Sequence, residues 1–256
     1  MKLTEYLGII AYDIAFWMTA FLNPDYPLDQ LGSVCVDITA KLRAAAIIAL
    51  LTNADSDAFF HNLMRSALCR LQYLERLRAA NRVTEHHQAS GRIDPFLDAV
   101  AAADFAAARR IAALSPGEWR QGHEYEDDYC YAQIVHGIIV APGNTSNLDP
   151  LFGRYEKVLD GQADARLDVT RALVQRDQAG FYSAIEALIA RRTAQLEADR
   201  VRKRIEEPAT VAERQVYVEG LAMLRIADRL GLKTQGEYLY CPSLARVSMQ
   251  KPFPGE

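Results

Sequence analysis

Residues 123–131 read His-Glu-Tyr-Glu-Asp-Asp-Tyr-Cys-Tyr. They put four carboxylates (Glu124, Glu126, Asp127, Asp128) and three tyrosines at the head of a helical run that is apolar from Ile134 to Val140. Three kinds of chemistry suit such a stretch. Carboxylates in a first helical turn interact favourably with the helix dipole and with its free amides. Glu124 and Asp128 stand one turn apart, and with His123 or His136 they offer metal ligands. Helical carboxylate metal centres, however, draw repeated Glu-x-x-His pairs from several helices, and this chain contains neither that pair nor His-Glu-x-x-His. On the third reading, carboxylates with tyrosines complement a basic protein face such as a nuclease cleft. Glu124, Glu126, Asp127 and Asp128 are then the candidate partner-binding residues. The helix-stabilising and docking readings both stay open.

The other patterns carry less. His86 and His87 are adjacent in a polar stretch, where neighbouring side chains diverge and chelate poorly. Arg200 to Arg204 is basic, but Asp199, Glu206 and Glu207 neutralise it at helical spacing, as on a solvated helix face. There is no Gly-x-Ser-x-Gly, no phosphate-binding loop and no dinucleotide fingerprint. We therefore expect no enzyme, no cofactor and no bound metal.

The elements that must position these residues are helices. Half of the 256 residues are hydrophobic, whereas glycines number 14 and prolines 10, and no alternating strand pattern occurs. The expected fold is all-α without a significant sheet. It is a bundle of stacked helical hairpins forming a single domain over 1–256, with a possible subdivision near 142–150 and an extended tail at 233–256. The net charge of −4 with interspersed signs offers no basic face for nucleic acid. The apolar run Leu7 to Leu22 is interrupted by Asp13, lacks a basic leader and falls short of a bilayer span. It is expected to be a buried helix, with no membrane partner. Four scattered cysteines fit a reduced compartment.

In order, the periodicity predicts helices from Leu3 to Phe21, from Ser33 to Leu51 and from Asp57 to Asn81, then a solvent loop from Arg82 to Arg92. Short helices follow near 94–103 and 105–114. Ser115-Pro116-Gly117-Glu118 has the form of a capping box, ahead of a helix over 123–140. Further helices are expected from Asp149 to Asp160 and from Val211 to Leu230, the last closed by Gly231. Tyr238, Leu239 and Tyr240 should pin the tail.

Residues 167–198 organise the chain as helix, break, helix. Asp177 sits as an N-cap, and Phe181, Ile185, Leu188 and Ile189 follow at helical spacing. Ala49-Leu50-Leu51 with Asp55, Phe59 and Leu63 echoes Ala172-Leu173-Val174 with Asp177, Phe181 and Ile185. A fainter echo runs from Ala101 to Phe105. Such repetition suggests hairpins that each bury a face they could not bury alone.

The second half, residues 165–245, resembles a known family. The hairpin with Ala172, Leu173, Asp177 and Phe181 is followed by a final helix with Leu224, Ala227, Leu230 and Gly231, then by Tyr238-Leu239 and Pro242. This order is similar to the all-helical immunity proteins of bacterial polymorphic toxin and type VI secretion systems, above all the immunity protein 49 family. The resemblance implies a non-enzymatic protein that binds and neutralises a cognate toxin. It transfers no catalytic or toxin-contacting residue. A cytoplasmic immunity protein implies a toxin acting in that compartment, such as a nuclease, a deaminase or an NAD-degrading enzyme. The alternatives are a helical metal-dependent hydrolase using residues 123–136 and a helical-repeat scaffold.

Overall fold

The structure is a computed structural model that describes residues 3–82, 86–142, 146–201 and 207–254. Arg202, Lys203 and Arg204 of the basic run, and Asn144 in the expected subdivision, lie outside them. The described residues form eleven α-helices: α1 (Leu3–Leu22), α2 (Leu28–Asn53), α3 (Ser56–Ala79), α4 (Asp94–Ala101), α5 (Phe105–Leu114), α6 (Glu126–Val140), α7 (Asp149–Leu159), α8 (Ala165–Gln175), α9 (Gln178–Val201), α10 (Pro208–Glu213) and α11 (Val218–Leu230). Among these residues there is no strand, only an isolated bridge between Tyr238 and Cys241. The protein is all-α.

Three hairpins share one hinge. Between α2 and α3, α4 and α5, and α8 and α9, a single residue turns left-handed: Ala54 (φ 51°), Ala103 (φ 60°) and Arg176 (φ 53°). The next residue is always aspartate. Its amide reaches back to a carbonyl of the finished helix, Asp104 to Ala99 at 2.8 Å and Asp177 to Ala172 at 2.9 Å, which is the bond that closes a helix C-terminus. Its carboxylate then caps the next helix, Asp55 accepting from the Ala58 amide, Asp104 from Ala107 and Asp177 from Ala179. One turn on, Phe59 and Phe181 are fully buried, each worth about 2 kcal/mol of apolar burial. In the fainter repeat Ala108 takes that place, and Phe105 lies under Arg229 instead.

The hairpins stack in chain order, α3 against α4 and α5, α5 against α6, and α6 against α7 and α8. After them α11 packs across α4, α8 and α9, and α10 across α1 and α2. A continuous hydrophobic cluster runs from Ile10 to Ala245. Within it Asp98 of α4 accepts from Arg43 Nε of α2 (2.7 Å) and from Ser66 Oγ of α3 (2.6 Å), so one buried carboxylate ties three helices. All four cysteines are free and buried.

Several sequence expectations need correction. Helix α2 starts at Leu28 rather than after Ser33, because Pro27 enters it with a ready-made φ of −58°. Ser33 lies inside the helix, its hydroxyl bonded to the Gln30 carbonyl. Gly32 is a close-approach site, since a Cβ there would stand 2.7 Å from the His87 ring and the Tyr73 hydroxyl oxygen. The stretch expected as a solvent loop is buried at Gln88, Ala89 and Ser90, because Arg70 donates to the carbonyls of His87, Gln88 and Ala89. Ser115 starts no helix; it closes α5, its amide and hydroxyl both bonding back to the Ile111 carbonyl. The strap after it is held out of helix by Ser90 and Gln133 on the Pro116 carbonyl and by Tyr129 on the Gly117 carbonyl.

The expected helix from Val211 breaks at 214–217. There the Tyr217 amide pairs with the Tyr240 carbonyl, pinning the tail (2.8 Å). Tyr238 is buried in that tail, whereas Leu239 is exposed. Its end is fastened by the Gln250 and Lys251 amides on Asp57. Helix α1 is not the buried helix expected. Ile10, Ala20 and Phe21 face the bundle, but Ile9, Tyr12, Phe16 and Leu22 are exposed. At 20 residues it is long and apolar enough to cross a membrane by length and composition.

Candidate partner-binding ridge at the start of α6

Helix α6 begins at Glu126, so His123 and Glu124 precede it, and Tyr125 is its extended N-cap (φ −71°, ψ 147°) with no side-chain cap bond. Glu126, Asp127 and Asp128 therefore fill the first turn, where the amide dipoles favour negative charge. The structure brings all four sequence-predicted carboxylates onto one ridge and gives each a partner inside the protein.

Glu126 takes Arg154 Nε of α7 at 2.6 Å. The same guanidinium lies over the rings of Trp119 (5.6 Å) and Tyr129 (5.1 Å). Asp128 and Asp127 take Arg166 of α8 at 2.8 and 3.4 Å. Arg166 is also over the Tyr131 ring (5.0 Å) and 3.2 Å from Asp164. Asp164 caps α8 through the Arg166 amide and accepts from Tyr155 Oη (2.8 Å) and Arg191 (2.6 Å). Burial raises the Asp164 carboxyl, but the Arg166 amide and guanidinium, the Tyr155 hydroxyl and Arg191 outweigh it, and the net position is below the usual range. Arg166 is correspondingly held above its ordinary value, Tyr155, Asp128 and Asp164 overcoming the opposing effect of burial.

Glu124 does something different. Its Oε2 accepts from the Gly91 amide, bracing the end of the buried 88–90 segment against the residues that lead into α6, and its carbonyl accepts from Trp119 Nε1 at 3.2 Å. A Cβ on Gly91 would sit 2.8 Å from that carboxylate oxygen, so glycine permits the approach. Burial pushes the Glu124 carboxyl up, and the Asp128 charge adds to it, against the pull of the Gly91 and Ser90 amides.

Glu124, Glu126 and Asp128 border an open cleft of about 620 Å³, lined also by His86, Arg92, Trp119 and Tyr125. Tyr125 is 79% exposed beside it. The side chains of Glu126, Asp127 and Asp128 keep between 29% and 36% of their surface accessible, so the ridge offers charge to solvent while paired internally. His136 lies eight residues beyond Asp128, about 12 Å along the axis. It is buried against Phe96 (ring centroids 4.5 Å apart), and burial followed by the Arg70 charge pushes it down to about 3. It cannot join Glu124 and Asp128 around one ion. Among the described residues no group of three or more His, Cys, Asp or Glu side chains is placed to hold a metal. Sequence reasoning missed Arg154, Arg166, Arg191 and Asp164. Only Asp164, two residues before Arg166 at a helix start, carried a local signal.

Stacked hairpins presenting a charge-stapled ridge beside an open cleft define an all-helical protein whose exposed features suit contact with another macromolecule. The chain belongs to the immunity protein 49 family, whose family model matches residues 30–245. The match extends well beyond the second-half resemblance and takes in every helix from α3 to α11 and most of α2, while α1 lies outside it. Family membership makes this an immunity protein, with a toxin as its partner. No curated protein and no solved structure matches the chain.

Proposed function

We propose that this protein protects its own cell, in the cytoplasm, by stoichiometric binding of a cognate antibacterial toxin of a polymorphic or type VI secretion system, and that the ridge of Glu124, Glu126, Asp127 and Asp128 forms part of the docking surface. Family membership carries the first part. The single observation that carries the second is an exposed aromatic, Tyr125, set among partly accessible carboxylates at the mouth of a cleft. Exposed tyrosine is a common interface anchor, and carboxylates steer a basic partner and raise its association rate. A nuclease, whose substrate cleft is positive, is the toxin class this chemistry fits. Protection should need about one copy per toxin molecule; protection far below that ratio would indicate catalysis and refute stoichiometric binding. Replacing the four acids by Gln or Asn together with Tyr125→Ala should slow association and remove its salt dependence. Unchanged affinity at low and high salt would place the interface elsewhere.

A further inference from the structure

A second, smaller pocket of about 90 Å³ lies between α2 and the start of α4, lined by Cys35, Thr39, Arg43, Arg70, Arg92 and Asp94 among others. Its three arginines differ in how they are neutralised. Arg43 is committed, Nε to Asp98 and Nη1 to Asp94. Arg70 is 2% exposed, and its terminal nitrogens hold the carbonyls of His87, Gln88 and Ala89, while its Nε has no hydrogen-bond partner. Arg92 pairs Nη2 with His86 Nε2 at 3.0 Å. Among the described residues no carboxylate lies within ion-pair distance of Arg70 or Arg92. Burial makes the Arg70 cation easier to deprotonate than an ordinary arginine, and the Arg92 charge adds to that against the opposing effects of Cys35, Tyr73 and Glu124. Two guanidiniums that repel across a small cavity, one of them buried with an orphan donor, form an arrangement that an anion would relieve. The volume admits a group of four or five heavy atoms and excludes a nucleotide.

We propose that this pocket is a site for a small oxyanion, a phosphate or a carboxylate group, bound between Arg70 and Arg92. Arg70 offers its single unpartnered Nε–H, and the Arg92 guanidinium supplies the planar charged donors that suit either group. The proposal is independent of the toxin reading, although Arg92 also lines the cleft beside the ridge. The test is calorimetric titration of the purified full chain with inorganic phosphate, and separately with acetate, at constant ionic strength. Saturable binding of either is expected, phosphate marking a free ion as the source and acetate alone marking a partner's carboxyl group. Arg92→Gln should weaken it about tenfold or more, whereas Arg109→Gln, at an exposed position of α5, should leave it unchanged. If Arg92→Gln impairs folding by circular dichroism, Arg70→Lys, which keeps the charge and removes Nε, takes its place with the same expected loss. Absence of saturable binding by both probes, or equal affinity in wild type and variant, overturns the proposal.

Discussion

Arg166 is the point at which the ridge is most exposed to a test. Its side chain is 14% accessible and that of Asp164 only 6%, so their contact is largely desolvated. Removing one member of such a pair costs about 3–5 kcal/mol when the other is left uncompensated. Asp164 would not be left so, because Tyr155, Arg191 and the Arg166 amide remain on it, which argues for the lower end. The contacts to Asp127 and Asp128 are about a third exposed on the acid side and add about 0.5 kcal/mol each or less. The Tyr131 ring adds about 1 kcal/mol. Arg166→Gln should therefore destabilise the fold by about 4 kcal/mol, which for a chain of this size lowers Tm by roughly 8–16 °C.

The assay is urea denaturation of wild type, Arg166→Gln, Asp164→Asn and the double variant. A coupling of at least about 1 kcal/mol between the two sites is expected. The pH dependence has a defined sign. Asp164 is held below its ordinary value in the fold, so its stabilisation is present above about pH 4 and is lost as pH falls further through the folded value. Asp164→Asn should remove that acid limb. A loss below about 1 kcal/mol for Arg166→Gln, or strict additivity in the double variant, would refute the staple.

Asp98 should behave in the opposite sense. Burial raises it to about 6, with Arg43 and Ser66 pulling against that, so between about pH 4 and 6 the folded chain keeps a proton that the unfolded chain has released, and stability falls as pH rises across that window. Denaturation midpoints of Asp98→Asn should lack this slope, and Asp98→Ala should lose about 3 kcal/mol by leaving the buried Arg43 with only the exposed Asp94. At the hinges, Asp55→Ala, Asp104→Ala and Asp177→Ala should each cost about 1 kcal/mol, whereas Ala103→Gly should gain up to about 1 kcal/mol by relieving a left-handed alanine. Thermal unfolding that ranks these variants otherwise would deny the hinges a common energetics.

What could be read from the sequence depended on how far along the chain the cause lies. The Asp55, Asp104 and Asp177 hinges act within six residues, so their pattern was visible, and so was the all-α class. The errors lie where a distant group intervenes. Ser115-Pro116-Gly117-Glu118 has the composition of a helix start, but Ser90 and Gln133 hold the Pro116 carbonyl from elsewhere in the chain. Val211 to Leu230 keeps one helical period, yet the tail's Tyr240 interrupts it at Tyr217. The four ridge acids were legible because they cluster. Their counter-charges were not, because Arg154 stands 28 residues from Glu126 and Arg166 38 from Asp128.

Internal pairing changes what docking on the ridge would require. A free carboxylate attracts any cation, whereas Asp127 and Asp128 already share Arg166 and Glu126 is held by Arg154. An incoming basic group must occupy the accessible third of each acid without displacing the arginines, which restricts its approach to one side. The acids are also pre-ordered, so little side-chain entropy would be lost on binding, and that saving favours affinity. It follows that Arg166→Gln, while weakening the fold, should free two carboxylates and speed association with a basic toxin at low salt. A rate gain larger than that of the charge-matched Arg109→Gln away from the ridge would place the ridge in the interface, because loss of one positive charge by itself speeds a basic partner wherever it occurs. A variant that folds, loses stability as expected and associates no faster would leave the ridge as architecture alone, and Tyr125 with the rest of the cleft would then have to account for docking without it.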